Sequence, residues 1–166
     1  LFLSLCLSLS LSLFIMSSSF ANSFIGKPRT SLPTPCLIVR EQKMAEALKK
    51  MKEIKDKHNK NLRPHIKSHK SVKMGKRQVS EEGGANGLAA AKVSEAEPFV
   101  AAGITNIFIT SPSSHPDKIE ALADLWVKSG GEVSTVVDSV EGINMLAKAI
   151  EARREANQNL SSKRWT

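Results

Sequence analysis

The stretch Arg63-Pro64-His65-Ile66-Lys67-Ser68-His69-Lys70-Ser71 decides how this chain is read. Leu62, Pro64 and Ile66 alternate with Arg63, His65 and Lys67, the period of a strand with one apolar and one polar face. Polar groups on one face of an otherwise apolar strand are costly to bury unless that face lines a site. Lys67 then falls at the strand's end among basic and imidazole groups, a setting that favours a neutral, nucleophilic amine. The plainer alternative is a basic surface loop after a strand.

Working outward from that strand, apolar runs alternate with helical patterns. Upstream, Cys36–Val39 reads as a short apolar strand. A helix follows over roughly 41–58, with Met44, Leu48, Met51 and Ile54 forming one apolar stripe. Downstream, a helix is expected from Ser71 to Glu81, broken by Gly83-Gly84, and a strand over Asn86–Ala91. Ser94 and Glu97 have capping-box spacing and open a helix that Gly103 closes, with Pro98 expected in its first turn. Strand Asn106–Thr110 leads into the helix start Ser114-His115-Pro116-Asp117, whose stripe is Ile119, Leu122 and Trp126 and whose end is Gly130-Gly131. Strand Val133–Val137 follows, then a helix capped by Asp138 or Ser139 and running to about Arg154.

Four βα units in succession demand a parallel sheet with helices outside it. A closed eightfold barrel takes about 250 residues, so this chain supplies half of one. A free-standing doubly wound domain is the alternative on pattern alone, but no glycine-rich dinucleotide fingerprint follows any strand.

Several of these segments, in this order and spacing, resemble D-threonine aldolases and eukaryotic D-serine dehydratases. The likeness is carried by Arg63–Ser71, by Thr34-Pro35-Cys36-Leu37-Ile38-Val39, by Val93-Ser94-Glu95-Ala96-Glu97, and by Ala101-Ala102-Gly103-Ile104. Asn106–Thr110 and Val133–Ser139 extend it to about Ala149. The resemblance implies an α/β fold, the N-terminal half of a pyridoxal-phosphate-binding (β/α)8 barrel of the alanine-racemase type, truncated here. It implies pyridoxal 5'-phosphate held on Lys67 as a Schiff base, and a D-amino acid with a β-hydroxyl as substrate. Loss of that hydroxyl gives a dehydratase, and cleavage of Cα–Cβ an aldolase; this stretch does not separate the two. It further implies a divalent metal bound by a C-terminal domain beyond residue 166, and a homodimer at full length.

Lys70 is the rival for the cofactor, but strand alternation places it past the strand end. The nearby charges of Arg63 and Lys70 are expected to favour a neutral Lys67. His65 shares Lys67's face and is assigned to cofactor binding, a hydrogen-bonded structural histidine being the alternative. His65 and His69 have a spacing that suits a helix better than a strand end, so no metal site is assigned. Lys92 replaces a small polar residue common in the family. Thr110, Ser111 and Ser113 could hydrogen-bond a ligand, or only form a turn and a cap.

Composition is that of an ordinary globular protein, with 41% hydrophobic and 24% charged residues. The net charge of +8 does not argue for nucleic acid. Seven lysines lie between Lys43 and Lys60, on the polar faces of an amphipathic helix, with no aromatic platform beside them. Two cysteines, Cys6 and Cys36, suggest neither a disulfide framework nor a metal cluster, and Cys36 is expected to be buried in its strand. Leu1–Ile15 alternates Leu with Ser, too polar for a membrane span and without the positive start of a signal peptide. It reads as a translated leader before Met16, or a truncated targeting segment. Residues 16–33 read as a flexible arm, with an organellar transit peptide as the alternative, and 34–166 as the partial barrel domain. A cytoplasmic lyase is expected. A non-catalytic single-barrel cofactor carrier and an inactive truncation product are the alternatives.

Overall fold

A computed structural model describes residues 22–156. The chain divides into two compact units between Arg40 and Glu41. Leu1–Ile15 and Met16 lie outside the described residues.

In the first unit, a 3-10 turn spans Arg29–Ser31, and the Ser31 hydroxyl donates to the Pro28 carbonyl at 2.7 Å. The expected strand at Cys36–Val39 does not form, and Leu37, Ile38 and Val39 are exposed. A strand exists only where a neighbour takes its N–H and C=O groups. No such neighbour is recorded for this segment among the described residues. Cys36 is therefore exposed rather than buried.

The second unit begins with helix α1, Glu41–Lys57, followed by α2, Val72–Val79. Strand β1 (Leu88–Ala90), helix α3 (Val93–Ala101), β2 (Ile107–Ile109), α4 (Pro116–Lys128), β3 (Ser134–Thr135) and α5 (Val140–Ala156) complete it. The strands form one parallel sheet in the order β1-β2-β3, as successive βα units require. Leu62–Lys67 occupies a fourth strand's place without being one. The Leu62 carbonyl accepts from Asn86 N–H and the Pro64 carbonyl from Ala89 N–H, both at 2.9 Å, yet only His65 and Ala89 form a bridge. Pro64 has no N–H to give a ladder, and the chain coils into a 3-10 turn at Ile66–Ser68.

Partners across a parallel ladder share a face. His65, Ala89, Phe108 and Ser134 therefore form one row. Leu88, Ala90, Ile107 and Ile109 lie on the other face and pack with Phe99, Leu122 and Ile150 of the helices into one core. Each fully buried Leu or Ile there contributes about 1.5–3 kcal/mol. At Gly75 of α2 any Cβ would meet Phe99 Cε1 at 2.6 Å, so glycine is what lets α2 approach α3. Arg153 of α5 ties that helix to α4 through Asp124 at 2.6 Å and Glu120 at 2.8 Å.

One helix start differs from expectation, and one cap is decided between its two candidates. Helix α3 starts at Val93, so Ser94 lies inside it and caps nothing, and Pro98 is its sixth residue rather than in its first turn. Ser94 and Pro98 are both exposed, where water can take the carbonyl left without an N–H. At α5 the cap is Ser139, whose Oγ accepts from Gly142 N–H at 3.1 Å. Helix α1 keeps its stripe without burying it: Met44 and Leu48 are half-buried, and Met51 and Ile54 are each 43% exposed.

Candidate active site

In a parallel βα sheet the C-terminal strand ends carry the loops that build sites. His65, Lys67, Lys70, Glu95 and Thr110 gather at that end. Thr110 lies two residues beyond Phe108, hence on the face of His65. His65 Nε2 lies 3.3 Å from Thr110 Oγ1, and Thr110 Oγ1 donates to the Ala90 carbonyl at 3.2 Å. On the ring's other side, Nδ1 accepts the Lys67 backbone N–H at 3.2 Å. Burial first, and the Lys67 charge second, push the His65 imidazole below its usual pKa, against an opposing pull from Glu95.

Lys67 and Lys70 part company here. The Lys67 side chain is exposed and makes no ion pair among the described residues. Lys70, in a left-handed backbone conformation, has its ammonium 3.3 Å from Glu95. The Glu95 side chain is only 11% exposed, and its second oxygen accepts the Ala91 N–H at 3.0 Å. Burial alone would raise that carboxyl; the Ala91 N–H and Lys70 outweigh it and hold it below the usual carboxylate range.

The charges expected beside Lys67 are otherwise engaged. Arg63 donates through Nε and Nη2 to Asn106 Oδ1, at 3.2 and 2.9 Å, at the opposite end of the strands. Lys70 is answered by Glu95. His69 Nδ1 accepts the Ser71 N–H at 3.0 Å, and its buried Nε2 has no hydrogen-bond partner among the described residues. Both His65 nitrogens and one of His69 are thus taken, and no cluster of three or more metal-ligating side chains occurs among the described residues. Lys92 is exposed and precedes α3 without a side-chain cap. The cap of α4 is His115, whose Nδ1 accepts the Asp117 N–H at 3.3 Å.

Thr110 and Glu95 are brought to the site only by folding. Thr110 carried a signal, a polar residue just past an apolar strand; Glu95 carried none beyond standing in a helix start. A cavity of about 890 Å³ is lined by Arg63, Asn106, Val133, Thr135, Ile143 and Ile150 among others. Neither Lys67 nor His65 lines it, so it lies apart from the lysine's surroundings. No helix of the described residues is long and apolar enough to cross a membrane.

Comparison with known proteins bears on the fold and the family. The chain is 37% identical over 126 residues to the 3-hydroxy-D-aspartate aldolase of Paracoccus denitrificans, covering 76% of this chain and 32% of that protein. It is 34% identical over 125 residues to the D-threonine aldolase of Arthrobacter sp., covering 75% and 32%. To the D-serine dehydratase of Dictyostelium discoideum it is 28% identical over 140 residues, covering 82% and 33%. The crystal structure of D-threonine aldolase from Filomicrobium marinum superposes with a TM-score of 0.67 at 38% identity, over 72% of this chain and 31% of that one. The chain thus spans about a third of the length of the curated relatives it matches. These relatives are lyases, and the fold is the N-terminal part of their barrel. The family described as alanine racemase, N-terminal domain, matches residues 39–161, and the chain belongs to it.

Proposed function

We propose that the full-length protein is a pyridoxal-phosphate-dependent lyase acting on D-amino acids with a β-hydroxyl, with Lys67 as the cofactor lysine. The observation that carries this reading is the contrast between two lysines three residues apart. Lys67 stands at the 3-10 turn with no ion pair among the described residues, and Lys70 is held by Glu95. A reactive amine must be free to lose its proton, and a carboxylate partner opposes that. These residues fit the cofactor: a free amine, turned by a short 3-10 segment, beside a partly buried imidazole.

When bound, the cofactor supplies a ring that withdraws electrons from the substrate's Cα. Lys67 would hold it, and its amine, once displaced by the substrate's amino group, would take or return a proton at Cα. His65 fixes the backbone of Lys67. The phosphate and a divalent metal are assigned to parts of the protein outside this sequence, and the active form to a homodimer in the cytoplasm. Residues 34–166 are read as the barrel part, preceded by an arm and a leader, and as inactive by themselves.

The test is borohydride reduction of the full-length protein with pyridoxal phosphate, followed by peptide mapping. A phosphopyridoxyl group on Lys67, and none at all in Lys67→Ala, is expected. A label on Lys70, or on no lysine of a folded protein, overturns the assignment.

A further inference from the structure

The hydrogen bonds around His65 have a sense that cannot be reversed. At one end stands the Lys67 backbone N–H, which can only donate, 3.2 Å from His65 Nδ1. At the other stands the Ala90 carbonyl, which can only accept, and takes the Thr110 hydroxyl at 3.2 Å and the Thr110 N–H at 2.8 Å. Nδ1 must therefore be bare, and a neutral ring carries its proton on Nε2. Thr110 Oγ1 has spent its own proton on Ala90, so it faces Nε2 at 3.3 Å with a lone pair. Both ends of the chain are backbone groups, so together they select one tautomer of His65.

We infer that Thr110 is a positioning residue for the cofactor lysine, acting through His65 by fixing its Nε2–H tautomer. This rests on the reading of Lys67 as the cofactor lysine. With the proton on Nε2, Nδ1 is the lone pair that receives the Lys67 N–H and holds the 3-10 turn at Ile66–Ser68. In the other tautomer, an N–H would face an N–H and that support would be lost. The same hydroxyl joins three neighbouring backbone segments at the mouth: His65–Lys67, the end of β1 at Ala90 and the residue after β2. Lys67 and Glu95 are the charged groups that act on the ring. The lysine ammonium has no lone pair to accept from Nε2, and both Glu95 oxygens are engaged by Lys70 and the Ala91 N–H. His65 is thus a positioning residue too, with neither nitrogen left to shuttle protons.

The test uses full-length protein and three forms: wild type, Thr110→Val, which keeps shape but removes the hydroxyl, and Thr110→Ser, which restores it. Imidazole nitrogen NMR of His65 reads the tautomer without any cofactor. Wild type and Thr110→Ser are expected to show the Nε2–H form alone, and Thr110→Val a mixture. Borohydride trapping with pyridoxal phosphate reads Lys67, and its labelling is expected to slow about five-fold in Thr110→Val, the factor one neutral hydrogen bond carries. An unmixed tautomer in Thr110→Val, or a Thr110→Ser that behaves as Thr110→Val does, overturns the inference. Labelling of wild type anywhere but Lys67 instead defeats the cofactor assignment, and the tautomer measurement still judges the Thr110–His65 bond.

Discussion

The two ends of the sheet are clamped by polar side chains in opposite styles. At the N-terminal end, Arg63 donates twice to Asn106 Oδ1, and Asn106 Nδ2 donates to the Asn86 carbonyl at 2.7 Å. Asn86 Oδ1 in turn accepts the Leu62 N–H at 3.0 Å. That clamp returns to the segment it starts from, since Leu62 and Arg63 are neighbours in the chain. At the C-terminal end, Thr110 and His65 also tie three segments together, but their chain ends on the backbone of a lysine whose amine is left over. One clamp closes on itself and serves stability; the other stops one group short and holds out an exposed amine, the one proposed to carry the cofactor. In the proposed lyase, what separates the two ends is which one leaves a group unspent, since both are rich in polar residues.

The sharpest way to break the closed end is Gly87→Ala. A Cβ there would sit 2.4 Å from the Asn106 backbone oxygen, so β1 and β2 would have to part. A loss of about 3 kcal/mol in urea unfolding is expected, the upper range for overpacking. A variant as stable as wild type would show that the approach of Gly87 to Asn106 is not tight. Next in size is Asn106→Ala, which removes Arg63's acceptor and Asn86's donor at once. About 1–2 kcal/mol is expected, because the site is half-buried and water recovers part of the loss. The closing of this clamp further predicts that Asn106→Ala leaves the His65 tautomer unchanged, and a mixed tautomer would mean that the two ends are coupled.

The smallest effect is at the open end. His65's folded pKa lies below its ordinary value of 6.5, so the unfolded chain takes up protons first. Its contribution to stability is full above about 6.5 and is lost as pH falls through the folded pKa. Urea midpoints across that window should fall with acid more steeply for wild type than for His65→Asn. Parallel curves, or a steeper fall in the variant, would contradict a neutral His65.

Much of this was legible in the sequence, for reasons visible in particular residues. The order of helices and strands follows from apolar spacing and from Gly83-Gly84, Gly103 and Gly130-Gly131, whose effects are local. That Lys67 stands exposed beside a buried Ile66 was legible in the alternation of the stretch. What failed was non-local. Cys36–Val39 has a strand's composition, but a strand is a relation between two segments, and its partner is not recorded among the described residues. Leu62–Lys67 alternates correctly, with Ile66 buried and Lys67 exposed, yet Pro64 denies the ladder an N–H. Ser94 and Glu97 satisfied a capping pattern one residue inside the actual helix start. Glu95 and Thr110 meet the Arg63–Ser71 stretch only across β1, and no spacing along the chain encodes that meeting.

Helix α1 has a consequence of its own. None of its 17 residues is buried, and its Lys43–Glu46, Lys49–Glu53 and Lys52–Asp56 pairs all lie within the helix. Arg77 of α2, bonded to Glu41 at the helix's first residue, reaches it from outside. Helices whose apolar face is not packed owe their persistence to propensity and short-range pairs. Opening α1 therefore exposes little that the sheet depends on. The helix is expected to open as a unit of its own, and its amides to exchange with solvent ahead of those of β1 and β2.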